Sequence, residues 1–324
     1  ETLRRIKNAR IAVIGDFCLD VYWLLDISAG EISIETGKRT LPIREQRYSL
    51  GGAGNVVANL HDLGVGGIFA FGIVGDDPFG DKMLNLLAEK ANCDNMLTGD
   101  SPSWQTLTYC KPMLNGEELS RLDVGNFNKL SESLASRLID NLEHAVERYH
   151  VVIINEQVVS GIHTDYLRKG LAEVVKRYKK PVFLLDGRHV QGVYPAWLKM
   201  NDHEALKMCG KQKPVTEEIS REEVLAAIEF VYQKQEAPLV VTRGGEGCVV
   251  RNADGISLVP GIRVRGEIDT VGAGDSFLAG LSAALAVGKQ LGAAAQVGNL
   301  VSAVTIQKIG RTGTATPEEI LALL

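Results

Sequence analysis

The sequence predicts an α/β fold: a doubly wound, mostly parallel sheet with helices on both faces and a small antiparallel β lid. Three observations carry that expectation. Short β-branched apolar runs alternate with longer helical stretches along most of the 324 residues. Helix-start signals stand where the later helices should begin. Two regions, about 21–50 and 105–123, break the alternation with strand formers and turn residues.

In chain order, residues 11–14 (Ile-Ala-Val-Ile) read as a buried strand whose carboxyl end opens into a loop at Gly15-Asp16. A helix at 55–63, a strand at 68–74 and a helix at 78–91 follow. Strands at 151–154 and 182–185 flank a helix at 164–178. Residues 239–242, 248–251 and 256–259 are short and strand-like, and helices are expected from Ala273, Leu291 and Pro317. Capping boxes at Ser220/Glu223 and Thr316/Glu319, the latter with Pro317 at the first helical position, mark two of the later helices. Asn115-Gly116 between two strand-forming runs predicts a hairpin. An antiparallel layer hung at the carboxyl ends of parallel strands is expected to cover a ligand. With no internal repeat, low-complexity tract or linker, residues 1–324 read as a single domain.

Composition narrows the function classes. Charged residues at 23% and hydrophobic residues at 45% are ordinary globular values. A net charge of −5 argues against a general nucleic-acid binder. Cys18, Cys93, Cys110, Cys209 and Cys248 are odd in number and widely spaced, so reduced thiols in a cytoplasmic protein are expected, with neither disulfides nor zinc. No apolar run approaches the ~20 residues of a membrane span, and the charged first ten residues do not read as a signal peptide. The 34 glycines are about 10% of the chain against a usual ~7%, which directs attention to functional loops.

Several motifs are excluded. Gly37-Lys38, Gly210-Lys211 and Gly288-Lys289 lack the following Ser or Thr of a P-loop. Gly52-Ala53-Gly54 reaches Val57 where a dinucleotide fingerprint needs a third glycine. G-x-S-x-G and H-E-x-x-H are both absent.

The segment that carries chemistry is Asp269-Thr270-Val271-Gly272-Ala273-Gly274-Asp275, leading into Ser276-Phe277. Small residues at a helix start leave their peptide N–H groups open at the positive end of the dipole, which suits an anion. A carboxylate on that turn repels phosphate but can take a proton from a hydroxyl that attacks a phosphoryl group held by the amides. The dipole is expected to keep Asp275 ionised and weakly basic. A loose phosphoryl-transfer transition state tolerates that, because positioning and charge carry most of the catalysis.

The run from Asp269 to Gly280, D-T-V-G-A-G-D-S-F-L-A-G, resembles the C-terminal motif of the ribokinase-like (PfkB) carbohydrate kinases. The resemblance spans nearly the whole chain and implies an ATP-dependent sugar kinase with Asp275 as base and Gly272, Ala273 and Gly274 as anion hole. Gly15-Asp16-x-x-x-Asp20 resembles the family's substrate segment, placing Asp16 and Asp20 there, with Asp20 contacting the sugar. Gly51-Gly52-Ala53-Gly54-Asn55 resembles its di-glycine sugar loop, with Gly51, Gly52 and the Asn55 amide on sugar hydroxyls. Asn201-x-x-Glu204 resembles its N-x-x-E, which acts on Mg²⁺ through water; read from the residues alone it is a helix start. Thr242-Arg243-Gly244-x-x-Gly247 resembles its nucleotide loop, giving Thr242, Gly244 and Gly247, and doubles as a glycine hairpin. Asn299 falls where the family packs adenine, with core packing an equal account. A monovalent cation, K⁺, is implied beside the anion hole at the backbone carbonyls of Asp269 and Val271. A homodimer through the lid is implied as well.

Details are most similar to the heptose-7-phosphate kinase branch, through residues 32–36, Arg121-Leu122-Asp123 and residues 313–319. Two departures stand out. Asn155-Glu156 brings an acid and no lysine after the mid-chain strand, and Asp186-Gly187-Arg188 replaces D-P-[KR]. A phosphorylated substrate needs basic partners, for which Arg39, Arg44, Arg47, Lys111 and Arg121 are candidates, whereas Glu156 beside a sugar favours a neutral polyol. The expected substrate is therefore a sugar or sugar phosphate. The alternatives are a non-catalytic sugar-binding module on the same fold and, against the missing third glycine, a dehydrogenase.

Overall fold

The computed structural model describes residues 1–188, 194–310 and 312–324. The strands are β1 (Arg10–Gly15), β2 (Phe17–Leu25), β3 (Ile43–Gly52), β4 (Gly67–Val74), β5 (Asn92–Thr98), β6 (Thr108–Leu114), β7 (Glu117–Glu118), β8 (Leu122–Val124), β9 (Val151–Glu156), β10 (Val182–Gly187), β11 (Trp197–Asn201), β12 (Leu239–Thr242), β13 (Gly247–Asn252) and β14 (Gly255–Pro260). Among the described residues nine of them form one sheet in the order β14-β13-β12-β11-β10-β9-β1-β4-β5. All pairings from β5 to β12 are parallel, and only β12–β13 and β13–β14 are antiparallel. The chain leaves β1 for β4 on one side and returns to β9 on the other, so a crevice opens at the carboxyl ends near β1 and β9.

Alternation along the central strands builds two cores. Ile11 and Val13 of β1 and Val151 and Ile153 of β9 pack under the helices Ala53–Asp62, Ala273–Ala286 and Leu291–Thr305. Ala12, Ile14, Val152 and Ile154 face the other way, against Glu132–Ala145, Asp165–Arg177 and Arg221–Gln235. Strands buried on both faces explain the uninterrupted apolar runs. The capping boxes at Ser220/Glu223 and Thr316/Glu319 both form.

The second sheet is the lid, in the order β3-β2-β6-β7 with β8 also on β6. Its β2–β3, β6–β7 and β6–β8 pairs are antiparallel, and β2 lies parallel to β6. The expected hairpin is present: Asn115 and Gly116 have φ of 52° and 87° between β6 and β7. β2 starts at Phe17, four residues ahead of the expected lid boundary, because Phe17, Leu19 and Val21 continue into the core.

The sequence reading omits β5, β11 and the helix Glu132–Ala145. β5 is a polar edge strand and β11 is five residues long around a lysine, so neither carries a periodic signal. The helix is legible in retrospect from Ser131, which accepts the Leu134 amide, and from Leu134, Leu138 and Leu142 on one buried face. The helix expected at 78–91 ends at Ala88. All five cysteines are unpaired, and among the described residues no helix is long and apolar enough to cross a membrane.

Candidate active site

The helix Ala273–Ala286 begins above the crevice with Gly272 as its N-cap. Gly272 has φ of 77°, and a Cβ there would stand 2.8 Å from Thr312 Cγ2 and 3.0 Å from Asn55 Nδ2. Glycine is therefore required both by backbone conformation and by the closeness of Asn55. The first turn is tied down from behind: Ser302 Oγ and Ser276 Oγ donate to the Ala273 carbonyl at 2.7 and 3.0 Å. The Ala273 amide donates to the Thr270 carbonyl at 3.1 Å. Of the three expected anion-hole amides, this one is thus engaged in the tight turn that leads into the helix.

Asp275 is half-buried on that turn, and Asn55 Nδ2 donates to its Oδ2 at 2.7 Å. Asn55 is itself buried and receives Asn59 Nδ2 on Oδ1 at 3.1 Å, so its rotamer is fixed. Burial, and then the like charge of Asp186, push the Asp275 carboxyl up to about 6, against the pull of Asn55, Lys199 and Arg188. The expected weak base, held low by the helix dipole, is corrected to a stronger one.

Asp275 lines a cavity of about 690 Å³ together with Thr270, Val271, Gly272 and Gly274 from the same segment. The rest of the lining comes from β10, β11 and β12 and the residues just beyond them: Asp186, Arg188, Lys199, Asn201, Glu204 and Thr242. Lys199 was no sequence candidate. It is buried, pairs with Asp186 at 3.1 Å, and its Nζ lies 3.2 Å from where a Cβ on Gly274 would be. Burial alone would depress its ammonium, but the carboxylates of Asp186, Glu204 and Asp275 outweigh that and hold it above its ordinary value.

Asn201 and Glu204 form the helix start read from the residues alone, and the structure also brings them to the cavity. They cap the helix Asp202–Met208 reciprocally, with both bonds at 2.8 Å. Burial raises the Glu204 carboxyl, with Asp186 adding to the shift. Among the described residues no group of three or more His, Cys, Asp or Glu could enclose a metal ion. A cation here would complete its shell with water and phosphate oxygens, which suits a hard divalent ion.

Asp20, Gly51 and Gly52 do come together. A Cβ on Gly51 would meet Asp20 Oδ2 at 2.9 Å, and Gly52, with φ of 54°, leads into the helix that carries Asn55. Asp16 is brought to the crevice with its carboxylate engaged by backbone amides. It is wholly buried, with Oδ2 accepting the amides of Gln157 and Val158 at 2.8 and 2.9 Å and Oδ1 accepting that of Ile162 at 2.8 Å. Its role here is to hold the loop after β9. Glu156 turns to the opposite face, nearly inaccessible under Arg168 at 2.6 Å, so the polyol argument drawn from it falls.

Of the expected nucleotide loop, Thr242 reaches the cavity. Gly244 and Gly247 follow Thr242 in the chain, with φ of 51° and 90° around the short turn Gly244–Glu246. Asn299 Nδ2 donates to the Pro260 carbonyl at 3.0 Å and braces the end of β14, which favours the packing account of that residue. Asp269 accepts the amides of Val271 and Gly310, each at 3.0 Å, and shapes the loop ahead of the helix.

A family model described as pfkB family carbohydrate kinase matches residues 8–319. The bifunctional protein HldE of Geotalea uraniireducens is 28% identical over 324 residues, covering 98% of this chain and 63% of that protein. HldE of Gluconobacter oxydans is 26% identical over 316 residues, covering 97% and 64%. The chain thus spans less than two thirds of these relatives. Among solved structures, Arabidopsis thaliana ribokinase complexed with ribose and ATP superposes with a TM-score of 0.74 at 17% identity, covering 97% of this chain and 98% of that one. Phosphofructokinase-2 of Escherichia coli in complex with potassium gives 0.74 at 18% identity, with the same coverage. At such identities the structural likeness speaks for the ribokinase-like fold.

Proposed function

The chain belongs to the pfkB family of carbohydrate kinases, and from that premise we propose that it moves the γ-phosphoryl group of ATP to a hydroxyl of a sugar or sugar phosphate. The observation that carries this reading is Asp275: a half-buried carboxyl raised to about 6, fixed by Asn55, at the open N-terminus of a helix. Such a group accepts the hydroxyl proton as the oxygen attacks phosphorus. Gly272 and Gly274 amides and the Lys199 ammonium supply positive charge where it develops on the transferring phosphoryl oxygens. Asp20 and Asn55, with Gly51 and Gly52 leaving room, orient the sugar, and Thr242, Gly244 and Gly247 flank the nucleotide.

Mg²⁺ would be held through water by Glu204 and Asn201, and when bound it neutralises phosphate charge. The acidic set of Asp186 and Glu204 on the cavity wall supports that assignment. K⁺ at the carbonyls of Asp269 and Val271 is the corresponding monovalent reading. The unpaired cysteines support a reducing, cytoplasmic setting.

The test is ADP release from Mg·ATP across sugars and sugar phosphates, with and without K⁺. Sugars that bind without releasing ADP would instead favour a sugar-sensing module. Gly272→Ala should lower turnover by about 10²-fold, since the new methyl displaces the Asn55–Asp275 pair. Steady-state rates beside a thermal melt check it, and a rate within threefold of the parent would remove Gly272 from the machinery.

We further propose a homodimer through the lid. β3 is an edge strand with its first half exposed, and Ile27, Ile32, Ile34 and Leu41 stand exposed beside it. Sedimentation at micromolar concentration should give twice the chain mass, and a monomer alone would discard the dimer.

A further inference from the structure

We propose that the acceptor is a neutral polyhydroxylated sugar or polyol and not a sugar phosphate, an inference that rests on the kinase reading above. The site-facing side of the lid decides it. On β2, Leu19 and Val21 go into the core, so Asp20 and Tyr22 point the other way, and β6 places Tyr109 and Lys111 beside them. Asp20 abuts Gly51, at the start of the path to Asn55 and Asp275.

Five of the six basic groups there are already engaged, and the sixth, Lys38, lies exposed in the loop between β2 and β3. Lys111 Nζ sits 2.8 Å from Asp20 Oδ1 and 3.3 Å from the Tyr22 hydroxyl, with both members of the ion pair only 13% exposed. Arg121 grips Asp123 with two bonds of 2.6 and 2.8 Å while stacked 4.3 Å over Tyr109. Arg47 holds Glu45 at 2.6 and 3.1 Å, Arg44 holds Asp26, and Arg39 donates to the Ile27 carbonyl. Across residues 17–52 and 105–124, six basic side chains face eight acidic ones.

A phosphate dianion binds where cationic donors converge without counter-ions. Here Lys111 could reach it only by releasing a half-buried Asp20, whose carboxylate would then face the phosphate. Such like-charge juxtaposition is how a site rejects a ligand. For a neutral sugar the same pair is an asset. Lys111 fixes one oxygen of Asp20 and leaves the carboxylate oriented to accept hydroxyl protons.

The experiment pairs D-ribose, D-fructose, D-glucose and sedoheptulose with their terminal monophosphates and adds myo-inositol, following ADP release from Mg·ATP and calorimetric binding in parallel. The best neutral acceptor should exceed the best monophosphate in kcat/KM by at least ~10-fold. A monophosphate that equals or surpasses it overturns the proposal, as does the failure of every neutral member to bind below about 10 mM. Preferential binding of neutral members with no ADP release would keep the proposal and sink the kinase reading instead. As a second arm, Arg121→Ala should leave kcat/KM for the best neutral acceptor within about threefold. A larger loss at unchanged melting temperature would place Arg121 on the substrate and overturn the proposal.

Discussion

Asp275→Asn should bind nucleotide and sugar as the parent does, yet lose at least ~10²-fold in turnover. The amide is isosteric, and its Oδ1 can still accept Asn55 Nδ2, so the first turn of the helix Ala273–Ala286 keeps its geometry. Only the proton acceptor is gone. Single-turnover ADP release beside calorimetric binding separates the two effects, and near-normal turnover would refute the role of base. A stability change of opposite sense should accompany the loss. Because the folded carboxyl is raised to about 6 from 3.8, its contribution to stability is complete below pH 3.8 and is lost as pH rises through about 6. Removing the charge should therefore raise the melting temperature at pH 8 and change it little at pH 4. The parent's activity should fall in the other direction, as acid protonates the base below about pH 6.

Lys199→Met has the second large expected effect. It deletes the cation that serves Asp186, Glu204 and Asp275 together, from a position only 7% exposed. Breaking a buried pair from one side costs about 3–5 kcal/mol, because the remaining charge is left uncompensated. Asp186 would then press harder on Asp275, moving the acid limb of the pH–rate profile upward, and turnover would fall with the loss of positive charge beside Gly274. Denaturant unfolding and the pH profile read the two effects. Adding Asp186→Asn should restore most of the stability without the turnover. An unmoved acid limb and an unchanged rate would show that Lys199 only fills space.

What the sequence discloses of this site follows from where each signal resides. The glycine run at 272–274 acts through its own backbone, so its meaning is local and can be read from consecutive residues. The same holds for Asn115-Gly116 and for the capping pair Asn201/Glu204. Lys199 is a different case, a lone lysine in a five-residue strand whose partner Asp186 lies on the neighbouring strand. Nothing in its own neighbourhood marks it as buried. Asp16 is conspicuous at the end of β1, yet the amides that consume its carboxylate lie more than 140 residues away, so its position was legible and its task was not. Glu156 shows the reverse error. One step of strand pleat past Asn155 sends it through to the opposite face, a consequence of register that residue type cannot convey.

Asp16 also determines how the lid can move. β1 ends at Gly15 and β2 begins at Phe17, so the covering sheet leaves the central one through a single amino acid. That amino acid is clamped by amides from the segment 157–162, and its own carbonyl accepts the Ala53 amide where the lid's second strand gives way to a helix. The pivot is therefore a shared knot and not a slack tether. Any tilt of the cover must drag both anchored segments with it, and cover and floor would register a bound guest as one mechanical unit.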